Sequence, residues 1–294
     1  MTFAEGRRGL EGYPVSESVR RHAESAAPIP LVLDSPHSGC VYPADFDHAP
    51  PRLLVRRAED SYVEQLFASA PRVGATLIEA LFPRAYIDPN RHLADIDIAL
   101  LADAWSRPVA RSRKAEQGIG LVWRLAHGGV PMYARLLSAA EIERRIAACY
   151  QPYHDALAAA IDERHRRFGA VWHLNCHSMP ARGDINADDP GRLRADVVLG
   201  DRDATTCAPQ FTAFVAATLE AMGYQVAIND PYKGVELVRK FGQPQERRHS
   251  LQIEINRRLY MDEETLDKRA GFDGLRRNLD RLLEALRGFV LAAL

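Results

Sequence analysis

Cysteine is scarce in this sequence. Cys40, Cys149, Cys176 and Cys207 are spread through 294 residues without a CxxC pair, which argues against a structural zinc knuckle. In a reducing compartment they are expected as free thiols, with Cys40 and Cys176 as small filler rather than nucleophiles. An excess of either charge is also missing. The net charge is −1, so nothing in the balance favours nucleic acid or an anionic membrane as partner. No apolar run approaches the roughly 20 residues of a membrane span. The opening stretch MTFAEGRRGLEGYPVSESVRRHAESAA has no signal-peptide apolar core, so a cytoplasmic location is expected. Repeats and low-complexity linkers are absent as well. The simplest organisation is one domain over 1–294, with a loose arm or short helix over about 1–28.

What is present alternates. Strands are expected at Ile29–Leu33, Ala75–Glu79, Ala85–Asp88, Gly118–Arg124, Ala170–Asn175, Ala195–Gly200, Gln225–Ile228 and Ser250–Asn256. Helical spacing marks Glu59–Ser69, Pro209–Met222 and much of Asp262–Leu294. Ser138 with Glu141 has the pattern of a capping box, opening a helix that could reach Phe168, with Pro152 a point of interruption and Gly169 a stop. Strand–helix alternation predicts an α/β layered sheet. The loops 100–135 and 180–195 are long, as functional or mobile loops tend to be.

Several polar residues stand where such a sheet binds ligands. His37, in VLDSPHSGC, follows the first buried strand, and His177, in LNCHSMP, follows another. The carboxyl edge of an α/β sheet is a usual ligand crevice, and two histidines brought there can share a metal. Glu59 and Asp60, opening a helix, offer the carboxylate that hydrolytic zinc sites often add; they could equally complement a helix N-terminus. In SLQIEIN, alternation puts Gln252, Glu254 and Asn256 on one face. That face is either solvated or holds Glu254 as a general base. YIDPNRHL sets Asp88, Asn90 and Arg91 directly after a strand, where Arg91 could fork onto a carboxylate or simply flank a turn. Lys233, Arg239 and Lys240 lie in a turn-rich stretch that could grip an anion. His173 shares a face with Asn175 and His177 and is expected as packing.

Taken in order, these blocks resemble the N-formylglutamate amidohydrolase family. The resemblance rests on SPHSG at 35–39, ED.YV..L at 59–66, DPNR at 88–91, CHSMP at 176–180 and VLGDRDATTC at 198–207. It continues with NDPYKG at 229–234, KFGQP at 240–244 and QIEINRRLYM at 252–261. It implies a three-layer α/β/α domain with a mixed, carboxypeptidase-like central sheet and one Zn2+ per chain. The ligands it implies are His37, Asp60 rather than Glu59, and His177. Glu254 falls where the general base belongs, Asn90 and Arg91 where a substrate carboxylate is held, and Arg239 is taken as the arginine that stabilises the oxyanion. The implied partner is a small anionic N-acyl amino acid, first N-formyl-L-glutamate, in cytoplasmic amino-acid catabolism such as histidine degradation. Self-association into a homo-oligomer stays open. Many relatives carry Asp two residues before the second histidine; here that place is Asn175, which can hydrogen-bond near the metal without supplying charge. A zinc hydrolase of another N-acyl amino acid, or a non-catalytic small-molecule binder, are the alternatives.

Overall fold

A computed structural model describes residues 17–110, 112–184, 187 and 189–294. Residues 1–16 of the expected arm, and three positions in the 180–195 loop, lie outside them. The strands are β1 (Val19–His22), β2 (Leu31–Ser35), β3 (Thr76–Ala80), β4 (Val171–Met179), β5 (Val197–Gly200), β6 (Val226–Ile228) and β7 (Arg248–Asn256). They form one mixed sheet in the order β1-β3-β2-β4-β7-β5-β6. β3, β2, β4 and β7 run parallel, while β1 joins β3 and β5 joins β7 antiparallel. The helices are α1 (Arg52–Arg56), α2 (Val63–Leu66), α3 (Arg113–Glu116), α4 (Ala139–Arg145), α5 (Gln151–Phe168), α6 (Pro209–Ala221), α7 (Glu236–Phe241) and α8 (Phe272–Ala292).

Period-two alternation divides the strands between two cores. Leu31, Leu33, Trp172, Leu174, Leu251 and Ile253 pack with α6 and α8 on one face. Val32, Ile78 and Val171 pack with Ile142 of α4 and Leu157 and Ile161 of α5 on the other. The expected three layers with a mixed central sheet are therefore observed. On α8, Leu275, Leu279, Leu282 and Leu286 recur at helical spacing and are all buried. Each such leucine contributes roughly 1.5–3 kcal/mol by leaving water. Among the described residues no helix is long and apolar enough to cross a membrane.

Several local expectations needed correction. Val19–His22 is an edge strand, not a loose arm or helix. Ala85–Asp88 forms a turn whose Asp88 N–H bonds Leu121 O, and Gly118–Arg124 contributes only an isolated bridge between Ile119 and Trp123. Both segments are apolar because they lie in the core, not because they pair in the sheet. Glu59–Ser69 yields only the single turn α2. The Ser138 capping box is complete, with both reciprocal bonds made. Ahead of Pro152 the helix widens into a π turn over Ile146–Tyr150, which absorbs the hydrogen bond that proline cannot donate. Gly169 ends α5 at φ 70°, in the left-handed region. β4 runs on to Met179, so His177 sits inside a strand rather than after one.

Candidate active site

Four parallel strands bring their carboxyl ends together at the centre of the sheet. His37 lies two residues past β2, in a turn that passes close to the chain after β3. A Cβ at Gly39 would stand 2.2 Å from Phe82 O, so this approach requires glycine. Asp60 N bonds His37 O at 2.9 Å, tying the segment before α2 to that turn. In the β4–β7 register His177 stands opposite Glu254, Asn175 opposite Gln252, and His173 opposite Ser250. Asp34 on β2 stands opposite Asn175 from the other side.

These placements converge. One ligand atom each from His37, Asp60 and His177 lies within 4.8 Å of the others, and all three residues are buried. Asp60 Oδ2 is 3.0 Å from His177 Nδ1 and 3.4 Å from His37 Nδ1. Glu59 turns the other way, accepting from Tyr42 Oη at 2.7 Å and Arg56 Nε at 3.2 Å. The outer ring nitrogens are already committed: His37 Nε2 to Asp88 Oδ1 at 2.7 Å, and His177 Nε2 to Asn175 Oδ1 at 2.8 Å. With protons on those outer nitrogens, as metal binding would require, both Nδ1 atoms would turn lone pairs toward the place of Asp60 Oδ2. His37 Nδ1 is buried with no hydrogen-bond partner. Burial pushes the His177 imidazole toward its neutral form. Burial pushes the Asp60 carboxyl up, but its contacts with His177 and His37 outweigh that and hold it well below the usual range. His37 Nδ1 thus faces the same Asp60 carboxylate oxygen that His177 Nδ1 faces, with no hydrogen-bond partner of its own. Nitrogen, nitrogen and oxygen are a donor set suited to zinc, so the residues fit that ion.

Around the three, Arg257 braces Asp60 with Nη2 at 3.0 Å from Oδ1, and also donates to Glu59 O and Ser178 Oγ. Arg84 donates to Asp88 Oδ2 at 2.9 Å and comes within 3.6 Å of Asp60 Oδ1. Burial pushes Asp88 up, but the Arg84 and Arg91 guanidiniums and its contact with His37 outweigh that and keep it well below the usual range. Glu254 is buried and accepts from Gln252 Nε2 at 2.8 Å. Burial, then the nearby Asp60 charge, pushes its carboxyl up to about 8, with Arg84, Arg257 and Arg194 pulling the other way.

Asn90 Nδ2 stands 3.1 Å from His177 Nε2, while its Oδ1 accepts from Leu237 N at the start of α7. Arg91 is buried, with Nε on Ile119 O and Nη1 on Asn90 O. Arg239 is half exposed and is held by Glu236 at 2.7 Å, with no hydrogen bond or ion pair to the His37–Asp60–His177 cluster. Of the residues read as functional, His37, Asp60, His177, Glu254 and Asn90 are therefore brought together, Arg91 adjoins them, and Arg239 does not. Asp34, Asp88, Arg84 and Arg257 were not singled out for these roles. Asp88 carried a signal, since a ligating histidine usually gives its other N–H to a carboxylate.

A profile of the N-formylglutamate amidohydrolase family matches residues 29–261. The chain belongs to that family. It is 28% identical, over 80% of its length and 84% of the relative's, to an N-formylglutamate deformylase of Pseudomonas aeruginosa. The crystal structure of N-formylglutamate amidohydrolase from Ralstonia eutropha JMP134 is 45% identical and superposes with a TM-score of 0.89, covering 94% of this chain and 99% of that one. A protein of Agrobacterium tumefaciens at 20% identity shares the fold, with a TM-score of 0.66 over 95% of this chain and 96% of its own. The chain is thus a member of an enzyme family that cleaves a formyl amide, and SPHSG, DPNR and the strand carrying Glu254 all lie within the matched span.

Proposed function

We propose that this amidohydrolase cleaves the C–N amide bond of N-formyl-L-glutamate, giving formate and glutamate, with Zn2+ held by His37, Asp60 and His177. The convergence of those three side chains beside a buried Glu254 carries the reading, and the deformylase names of the relatives support the substrate. Zinc bound there supplies Lewis acidity, polarising the formyl carbonyl and making water a nucleophile at neutral pH.

The chain's own groups do the rest. Glu254 takes the proton of the attacking water and returns it to the leaving amine. Its pKa, raised to about 8 by burial and by Asp60, makes it a good proton acceptor, and a cation nearby would draw it back toward the carboxylate. Arg84, paired with Asp88 and 3.6 Å from Asp60, is our candidate for stabilising negative charge developing on the carbonyl oxygen; Arg239, paired with Glu236, is the other. Asn90 and Arg91, which adjoin the cluster, are our candidates for holding a substrate carboxylate. Arg257 and Asp88 hold Asp60 and His37 in place.

A panel of N-formyl, N-acetyl and N-succinyl amino acids tests the reading. N-formyl-L-glutamate is expected to be the best substrate. Preference for another acyl group would assign the site to a different N-acyl amino acid, and no turnover of any would favour a binding protein.

A further inference from the structure

A buried polar row runs across the sheet under the His37–Asp60–His177 cluster. Asp34 and Asn175 stand opposite each other on β2 and β4, and both are fully buried. Asp34 Oδ1 accepts from Asn175 Nδ2 at 2.8 Å. That bond orients the amide, so its oxygen meets His177 Nε2 at 2.8 Å. Asp34 is also reached by His173 Nε2 at 2.8 Å and by Tyr153 Oη at 2.5 Å, and His173 Nδ1 lies 2.7 Å from Ser250 Oγ. Burial pushes the Asp34 carboxyl up, but His173 and the hydrogen bonds from His173, Tyr153 and Asn175 outweigh it and hold it ionised. A buried charge carries a desolvation cost that packing alone does not repay.

We propose that Asp34 is a positioning residue for His177, acting through the Asn175 amide. The carboxylate polarises the amide; the amide oxygen, at 2.8 Å, then holds the proton on His177 Nε2 against the Asn90 NH2 at 3.1 Å, which favours the other tautomer, so that Nδ1 would present its lone pair to a metal. His37 receives the same support directly, from Asp88 at 2.7 Å; His177 receives it through one intervening side chain. Hydrogen bonds in series strengthen one another. Groups that orient a ligand are typically worth about 10–100-fold in metal affinity, and with an amide between, about tenfold is expected. The inference rests on the metal reading of the cluster.

The test is the zinc affinity of metal-stripped protein, read by competition with a chromophoric chelator. Asp34→Asn is isosteric: its oxygen can keep Asn175 and His173 as donors, and its NH2 can turn to Tyr153 Oη. It removes the charge and is expected to weaken zinc binding about tenfold. The swap Asp34→Asn with Asn175→Asp brings the carboxylate next to His177. The amide now on β2 can then donate to the carboxylate now on β4 and to His173 Nε2, the His173 proton moving to Nδ1 beside Ser250. Affinity is expected to return to the wild-type value or above. Zinc bound by Asp34→Asn as tightly as by wild type would overturn the proposal, and so would a swap variant as weak as the single one. Should the single variant not fold, the swap decides alone: wild-type affinity supports the relay, tenfold weaker binding overturns it. A wild-type protein that binds no zinc overturns the metal reading and the relay together, a result distinct from either.

Discussion

His37 and His177 each commit one ring nitrogen to a neighbour inside the protein and turn the other toward Asp60. Glu254, one strand over from His177, is buried without ligating position among the three. On the proposed mechanism those two facts divide metal holding from proton transfer, and they predict separable variants. Glu254→Gln is expected to keep zinc and lower kcat by about 10²–10⁴-fold, the usual share of a general base; kcat within a few-fold of wild type would reject the assignment. At this scale position alone left His37, His177 and the Glu59–Asp60 pair with bland readings, and it was the order of the motifs, through the family resemblance, that singled out His37, Asp60 and His177. Asp34 and Arg257 were not singled out, because they act across 141 and 197 residues of sequence. Spacing along the chain carries no trace of such contacts. Arg239, read in a turn-rich stretch that could grip an anion, makes an ion pair with Glu236 three residues away on α7, a contact that was legible from the spacing.

β4 explains what an element can reveal. A parallel strand buried on both faces is expected to be apolar throughout. VWHLNCHSM instead alternates Trp172, Leu174 and Cys176 toward one core with His173, Asn175 and His177 toward the other face. The same alternation in β7 places Ser250, Gln252 and Glu254 beside them. This polar row was visible as a period of two, but His173 looked like packing because its partners, Asp34 and Ser250, come from other strands. Ala85–Asp88 and Gly118–Arg124 failed as strands since an apolar run in a core loop has the same composition as one in a sheet. The His37 turn is the element most exposed to a single change. Gly39→Ala would push a methyl into Phe82 O at 2.2 Å, so the turn must shift. It is expected to lower Tm by several degrees and to leave purified protein with substoichiometric zinc; an unchanged Tm with full zinc would show that the turn is not held this tightly.

Over the whole molecule, sheet order does what no single segment can. β2, β4 and β7 are far apart in sequence and adjacent in space, and their parallel run places His37, His177 and Glu254 at one edge. The layered α/β character followed from alternation; the order β1-β3-β2-β4-β7-β5-β6 did not, because strand neighbours are chosen by long-range pairing. Beyond the site, α5 contributes a pH dependence. Burial, and then Lys240, pushes the His154 imidazole down to about 4. Unfolded, this histidine titrates near 6.5, so between pH 6.5 and 4 the unfolded chain binds the extra proton. Its contribution is complete above about pH 6.5 and lost as pH falls toward about 4, on the order of 3 kcal/mol. Metal-stripped protein is expected to lose stability across that window, and His154→Gln to flatten the loss; equal slopes for both proteins would contradict it.

The most direct measurement is the zinc content of purified protein and of two variants. One zinc per chain is expected in wild type, and little or none in His37→Ala and His177→Ala. Full zinc occupancy in both variants, or none in wild type, would contradict the account.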